Sequence, residues 1–254
     1  GHQELWLGSS DYERTHFFEG KLDEVRLWND VRSATEIRDH YADVLTGNEE
    51  GLLAYYDFEQ KQVGRVFPTL SDKSGQGKDG LLSSQIDHSL HVDGPNGTFD
   101  KALSFGPRDQ YRSMGGPMDW LNIGNLGSIN DWTIETWFKQ EEEDPIQYIF
   151  HSDNGHGTKG VRVGIKNSNE IHVSVNFVDH HHTIPVTQSL STWHHLAIVG
   201  DKTNERITIY FDGDPVNFGT DTQPKNYYDH PANKFPVSFP AFILGKQGYY
   251  YSDP

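Results

Sequence analysis

The 254-residue chain contains no cysteine, only two methionines and no apolar run approaching 18 residues. Without cysteine there is no disulfide scaffold, no thiolate-held zinc and no thiol nucleophile, a composition that among exported proteins fits a bacterial-type domain. Without a long apolar run there is no helical membrane span, and the opening GHQELWLGSS has neither the charged region nor the apolar stretch of a signal peptide. No membrane insertion is expected. Basic residues are scarce, 21 Lys and Arg against 37 Asp and Glu, so the net charge is -16. That field repels phosphate backbones and excludes nucleic acid as a natural partner, while suiting cations and neutral polyols. Apolar residues make up just 34% of the chain, but 25 glycines and 13% aromatics describe an aromatic-rich, loop-rich globule rather than a disordered chain. The length favours one large β domain over two small ones.

What is present is alternation. Arg206–Phe211 (RITIYF) puts Ile207, Ile209 and Phe211 on one face and Arg206, Thr208 and Tyr210 on the other. Similar patterns predict strands at Glu4–Gly8, Lys21–Trp28, Leu52–Phe58, Trp120–Ile123, Thr133–Lys139, Gln147–His151, Gly160–Ile165, Glu170–Val175, Trp193–Gly200 and Ala241–Leu244, separated by Gly, Pro, Asn and Asp clusters. So many short strands predict an all-β, two-sheet antiparallel sandwich. One helix is expected, Ala34–Asp43, opened by Ser33 with Glu36 three residues on as a capping box, its apolar stripe formed by Ile37, Tyr41 and Val44.

The chain also repeats itself. Leu5-Trp6-Leu7-Gly8 is echoed 237 positions later by Phe242-Ile243-Leu244-Gly245, each followed by a polar, Tyr-containing loop. In the first copy the chain goes on through FFEG into LDEVRLW; after the second no such strand follows within these residues.

GKLDEVRLWNDVRSATEI (Gly20–Ile37) followed by GLLAYYDF (Gly51–Phe58) resembles the junction of two consecutive laminin-G-like, concanavalin A-type jelly rolls. SDKSGQGKDGLL, FDKALSF, WLNIG, DWTIETWFK, STWHHLAIV and ITIYFDGDPV continue the likeness in family order along essentially the whole chain. The resemblance implies that residues 1–47 are the tail of one copy and 51–254 the body of the next, and that 1–254 form a single jelly roll if the tail fills the gap left by the body's missing last strands. The other arrangement is exchange of tails between neighbouring copies.

Alternation places Asp23 on the face of Val25 and Leu27, opposite Leu22, Glu24 and Arg26, pointing inward. A buried carboxylate needs hydrogen bonds or a cation, and hard cations favour carboxylate and carbonyl oxygens. The resemblance implies a structural Ca²⁺ held by Asp23 with oxygens from the Asp57–Glu59 and Asp93–Gly97 neighbourhoods, so the candidate metal residues are Asp23, Asp57, Asp93 and Gly97. The loop with Asp72, Ser74, Gly75, Gly77 and Asp79 could offer oxygens or merely make a tight connection, and Asp212-Gly213-Asp214-Pro215 reads as a hairpin turn. Of the run Asp179-His180-His181-His182, only His180 and His182 could converge on a metal within one strand.

Candidate ligand contacts are the aromatic loop clusters Tyr227-Tyr228 and Tyr249-Tyr250-Tyr251, set among Asn, Asp, Gln and Ser, together with His151 and Asn154 at a Gly-rich turn also holding Asp153 and His156. Sugar rings dock on exposed aromatic planes while amides and carboxylates bond their hydroxyls; Trp132, Trp137 and Trp193 are read as packing residues. Glycosidases of this fold resemble one another in an E-x-D-x-x-E strand, whereas WTIETWF carries Glu135 alone, and no G-x-S-x-G, Walker or H-E-x-x-H string occurs. The expectation is therefore a non-catalytic, extracellular or surface-borne recognition module, binding a glycan or a surface protein. The alternative is a structural repeat that makes homotypic contacts in a fibre by tail exchange.

Overall fold

The computed structural model describes residues 18–59, 69–82, 91–95, 97–99, 101–105, 121–142, 147–152, 160–166, 170–175, 178–183, 191–204, 206–216, 237–239 and 243–244. The strand expected at Glu4–Gly8 lies outside them, as do Tyr227, Tyr228, Tyr249, Tyr250, Tyr251, Asn154, Asp153 and His156.

The described chain runs β1 (Gly20–Trp28), α1 (Ala34–His40), β2 (Leu52–Tyr56), β3 (Thr69–Leu70), β4 (Gly80–Leu82), β5 (His91–Asp93), β6 (Lys101–Phe105), β7 (Leu121–Asn122), β8 (Gly127–Ile129) and β9 (Trp132–Gln140). It continues with β10 (Gln147–His151), β11 (Val161–Lys166), β12 (Glu170–Val175), β13 (Val178–Thr183), β14 (His194–Asp201), β15 (Arg206–Phe211), β16 (Asp214–Pro215), β17 (Val237–Phe239) and β18 (Ile243–Leu244). One eight-stranded antiparallel sheet has the order β16-β15-β14-β9-β1-β6-β5 with β2 also paired to β1; the other runs β13-β12-β11-β10-β18-β7-β4-β3. A short β17–β8 ribbon stands apart. Between the sheets lies one apolar core, with Leu22, Val25, Leu27, Ile134, Phe138 and Ile198 from the first sheet and Leu121, Phe150, Val163 and Val173 from the second, all at most 2% exposed. The all-β sandwich with one helix is what the alternation predicts.

The first described strand is central in its sheet. β9 pairs with it from Gly20 to Trp28, while its other edge is shared: β6 takes Gly20–Leu22 and β2 takes Val25–Trp28. Where the partner changes, the register against β9 slips between Asp23 and Arg26, and Glu24 adopts φ 49, outside strand geometry. This bulge corrects the simple alternation. Leu22 shares the core with Val25 and Leu27 rather than facing away from them, and Asp23, aligned with Trp137, belongs to the opposite face.

Helix α1 is shorter than expected but starts as its sequence dictates. Ser33 Oγ accepts from Glu36 N at 3.2 Å and Glu36 Oε2 accepts from Ser33 N at 2.8 Å. It lies on the outer face of the first sheet, where Ile37 packs with Ala197, Val199 and Tyr210. Tyr41 caps the helix and stacks on Trp137, centroids 5.6 Å apart, while Val44 is 57% exposed and takes no part in the stripe. Asp212 and Gly213, at φ 50 and 82, form the β15–β16 turn, the mirror-image geometry a two-residue hairpin requires.

Candidate functional site

Asp23 lies where the edge of β1 passes from β6 to β2. Its side chain is fully buried, Oδ1 accepts from Glu24 N at 2.8 Å, and Oδ2 accepts no hydrogen bond among the described residues. Burial, with Glu24, Glu59 and Asp57 adding repulsion, pushes its carboxyl up to about 9. A buried acid with an idle oxygen beside further carboxylates is the electrostatic signature of a position that gains from a cation.

Around it stand the ends of the flanking strands. Phe58, at φ 49, turns the chain out of β2 so that Asp57 and Glu59 sit near Asp23; Asp57 pairs with Lys73 at 3.1 Å, and Glu59 accepts from Lys101 N at 2.8 Å. Gly94 faces the idle oxygen: a Cβ there would lie 2.9 Å from Asp23 Oδ2 and 2.2 Å from the Phe99 carbonyl oxygen. Asp93 is placed differently, its carboxylate 97% exposed and bonded to Lys101 Nζ at 3.2 Å rather than turned to Asp23. Gly97 has open space where a Cβ would be, so within the expected Asp93–Gly97 neighbourhood it is Gly94, and neither of the two residues singled out, that faces Asp23. Among the described residues no three His, Cys, Asp or Glu side chains converge as a metal cage. The Phe99 carbonyl, drawn close to the same glycine, is a backbone oxygen of the kind that hard cations accept.

On the same face, beside β2 and under α1, lies a buried polar network. Arg26, 1% exposed, donates to Glu24 Oε2 at 2.7 Å, to the His40 carbonyl at 3.1 Å and to the Asp43 carbonyl. The Tyr55 hydroxyl bonds both Glu24 oxygens at 2.8 and 3.0 Å. Burial lowers the Arg26 guanidinium but Glu135 and Glu24 outweigh it and hold it above its usual range. Burial raises Glu135, yet His195 Nε2, 3.4 Å away, and Arg26 bring its carboxyl below the usual range. Burial also lowers His195, so a neutral imidazole donates to an ionised Glu135. Glu135, 3% exposed, thus sits in a structural network under the helix and not in an open cleft.

The Asp72 loop uses its oxygens internally. Asp72 accepts from Tyr55 N, Ser74 N, Ser74 Oγ and Lys78 N at 2.8–3.0 Å, and Asp79 accepts from Asp72 N at 2.9 Å. Trp132 is core, Trp137 lies between Tyr41 and Phe99 at 8% exposed, and Trp193 is half-buried.

The second sheet carries a polar row. Register aligns Asp179, Ser174, Arg162, His151, Ile243 and Asn122 across β13, β12, β11, β10, β18 and β7. The neighbouring row, which includes Val173, Val163, Phe150, Leu121 and Leu82, supplies the core, so the polar row belongs to the outer face. His151 is the one expected ligand residue within the described strands.

Comparison with known proteins agrees with this architecture. Two solved structures of the Ruminococcus gnavus IT-sialidase CBM40 are similar, one bound to alpha2,3 sialyllactose and one to alpha2,6 sialyllactose. The first aligns at 16% identity over 49% of this chain and 66% of that one, TM-score 0.36; the second at 13% identity over 50% and 80%, TM-score 0.32. Alignments this loose set no ligand for this chain. No curated protein matches in sequence. Residues 115–240 match the laminin G-type family described as the Concanavalin A-like lectin/glucanases superfamily. The two large antiparallel sheets and the one helix among the described residues are consistent with the concanavalin A-like sandwich to which that stretch, just under half of the chain, is similar.

Proposed function

We propose that this chain is a non-catalytic carbohydrate-recognition module of an exported or cell-surface protein, stabilised by one Ca²⁺ at Asp23. The observation that carries the recognition role is the polar row on the outer face of β10–β12. Arg162 and the aligned positions of His151, Ser174 and Asp179 place polar residue types in one register row on strands about 4.8 Å apart, a pattern suited to a polyhydroxylated ligand lying across them. Support for the cation comes from the idle Asp23 oxygen and the glycine facing it. When bound, the ion would neutralise Asp23; the protein supplies the buried carboxylate, with the Phe99 carbonyl close to the facing glycine. A lectin/glucanase family includes hydrolysts, but Glu135 is locked to His195 and Arg26 beneath α1, which supports binding without turnover. Glycan-array screening of the Ca²⁺-loaded chain tests the role. Binding that an Arg162→Ala variant loses is expected; no retention of any glycan would overturn it.

A structural role in a repeating fibre keeps one observation in its favour. The central strand β1 and its helix satisfy Arg26 from their own segment, through Glu24, His40 and Asp43, so the piece is pre-assembled for docking into a body of either the same or a neighbouring copy.

A further inference from the structure

We propose that the cavity where the chain leaves β1 and enters β2 is a binding site for a sugar that carries a free, protonated amine. About 500 Å³ in volume, it is lined by Asn29 and Asp30 beyond the end of β1, by Glu50, Leu52 and Leu53 around the start of β2, and by Gln76 of the Asp72 loop. That volume lies within the range of pockets that enclose small ligands. A close approach of backbone holds its walls. Asn29 N donates to the Gly51 carbonyl at 2.8 Å, and a Cβ on Gly51, at φ 81, would stand 2.7 Å from Asp30 Oδ2 and 3.3 Å from Asn29 Oδ1. Glycine at 51 is thus what lets the Asp30 carboxylate and the Asn29 amide lie against the turn. Glu49 is committed to the turn itself, accepting from Thr46 N at 2.7 Å, Thr46 Oγ1 at 2.9 Å and Gly47 N at 2.9 Å. Leu52, 3% exposed, packs with Trp28 and Tyr55 and gives one wall a fixed apolar backing.

The lining sets the ligand. Asp30 Oδ1 is buried and accepts no hydrogen bond among the described residues. A carboxylate oxygen left so is relieved most by a donor of opposite charge. Glu50, which is exposed, adds a second carboxylate, and no Lys, Arg or His is among the described lining residues. An ammonium is therefore favoured, while anionic sugars meet two like charges. The amides of Asn29 and Gln76 each combine donors with an acceptor, the chemistry that ring hydroxyls need, and Leu52 and Leu53 suit the C–H face of a ring. A bare metal ion would use neither the amide donors nor the apolar wall. The cavity shares no residue with the surroundings of Asp23 or with the polar row through Arg162, so the site is separate from both.

The test is titration calorimetry on the whole chain, kept in Ca²⁺ at mildly acidic pH, with three probes: the disaccharide of glucosamine, its N-acetylated form and neutral cellobiose. The free-amine sugar is expected to bind one to one, and the other two about tenfold more weakly or not at all, the loss of one hydrogen bond to a charged group. Asp30→Asn should erase that preference, Gln76→Ala should weaken the amine sugar, and Arg162→Ala should change nothing. Thermal melting checks that each variant is folded; should Asp30→Asn not fold, Glu50→Gln and Gln76→Ala, both at exposed positions, carry the test. No binding of the amine sugar, equal affinity for all three probes, or amine binding unchanged in Asp30→Asn, or in both exposed variants where that one does not fold, would overturn the site. So would binding that moderate salt abolishes alike in parent and variants, which would show only the pull of a net charge of -16 on any cation.

Discussion

A Cβ placed on Gly94 would stand 2.9 Å from the Oδ2 atom of Asp23, and Oδ2 is the oxygen that accepts no hydrogen bond among the described residues. The Phe99 carbonyl oxygen, 2.2 Å from that same Cβ position, is a second oxygen drawn close by the glycine. If these oxygens hold Ca²⁺, the ion stabilises the fold by mass action, about 2.7 kcal/mol at a hundredfold excess over its Kd. Melting in Ca²⁺ and in chelator should differ accordingly. Asp23→Asn should abolish the difference while melting, without metal, no lower than the parent, since it removes a buried acid; Gly94→Ala should lower the response by crowding the pocket and the Phe99 carbonyl. Equal melting of the parent in Ca²⁺ and chelator would reject the site.

The pH dependence follows from the same group. Asp23 is raised from an ordinary 3.8 to about 9, so between those values the metal-free folded chain holds a proton that the unfolded chain has released. This group's contribution to stability is therefore greatest below about pH 4 and declines as pH rises toward 9, the reverse of a salt-bridged aspartate. Ca²⁺ competes with that proton. Its affinity should rise across this range, and calorimetry in two buffers of different ionisation enthalpy at pH 7 should register release of close to one proton; no release would mean that Asp23 is already ionised.

Legibility in the sequence divides along physical lines. Long strands with unbroken alternation, such as Arg206–Phe211 and Trp132–Gln140, and the capped helix were readable because each rests on local rules. Two- and three-residue strands such as β3, β4 and β5 were not, since they exist through pairing alone. The Asp23 site was half readable. Its burial followed from alternation, but the face was misassigned because the bulge at Glu24 is dictated by the switch of partner from β6 to β2, a tertiary event. The row through Arg162 was invisible for the same reason: its alignment lies in register with strands distant in sequence.

The Glu24–Arg26 pair should be costly to break from one side. Both side chains are 2% exposed, and removing one partner leaves the other charged and desolvated, a loss of about 3–5 kcal/mol. Arg26→Met strands Glu24 and leaves the carbonyls of His40 and Asp43 without their donor, so chemical denaturation should show a loss of that order. The double variant Glu24→Leu with Arg26→Met should recover a large share. A single variant within about 0.5 kcal/mol of the parent would mean that water already reaches the network.

The last prediction separates module from fibre. β1 contributes Leu22, Val25 and Leu27, each at most 2% exposed, to the core between the sheets. At about 1.5–3 kcal/mol per buried aliphatic side chain their joint contribution rivals the whole net stability of an ordinary domain. The loss of β1 would also open the sheet between β9 and its partners β6 and β2, exposing unpaired edges at its centre. Deleting residues 1–30 should therefore prevent soluble folding, and a synthetic peptide of residues 18–49, which carries the strand, the helix and the Arg26 contacts, should restore it when added in trans. If the intact chain is monomeric over a wide concentration range, β1 closes its own sandwich and the recognition module stands. If it forms concentration-dependent dimers or polymers that the same peptide dissolves, β1 is exchanged between copies and the fibre reading replaces it.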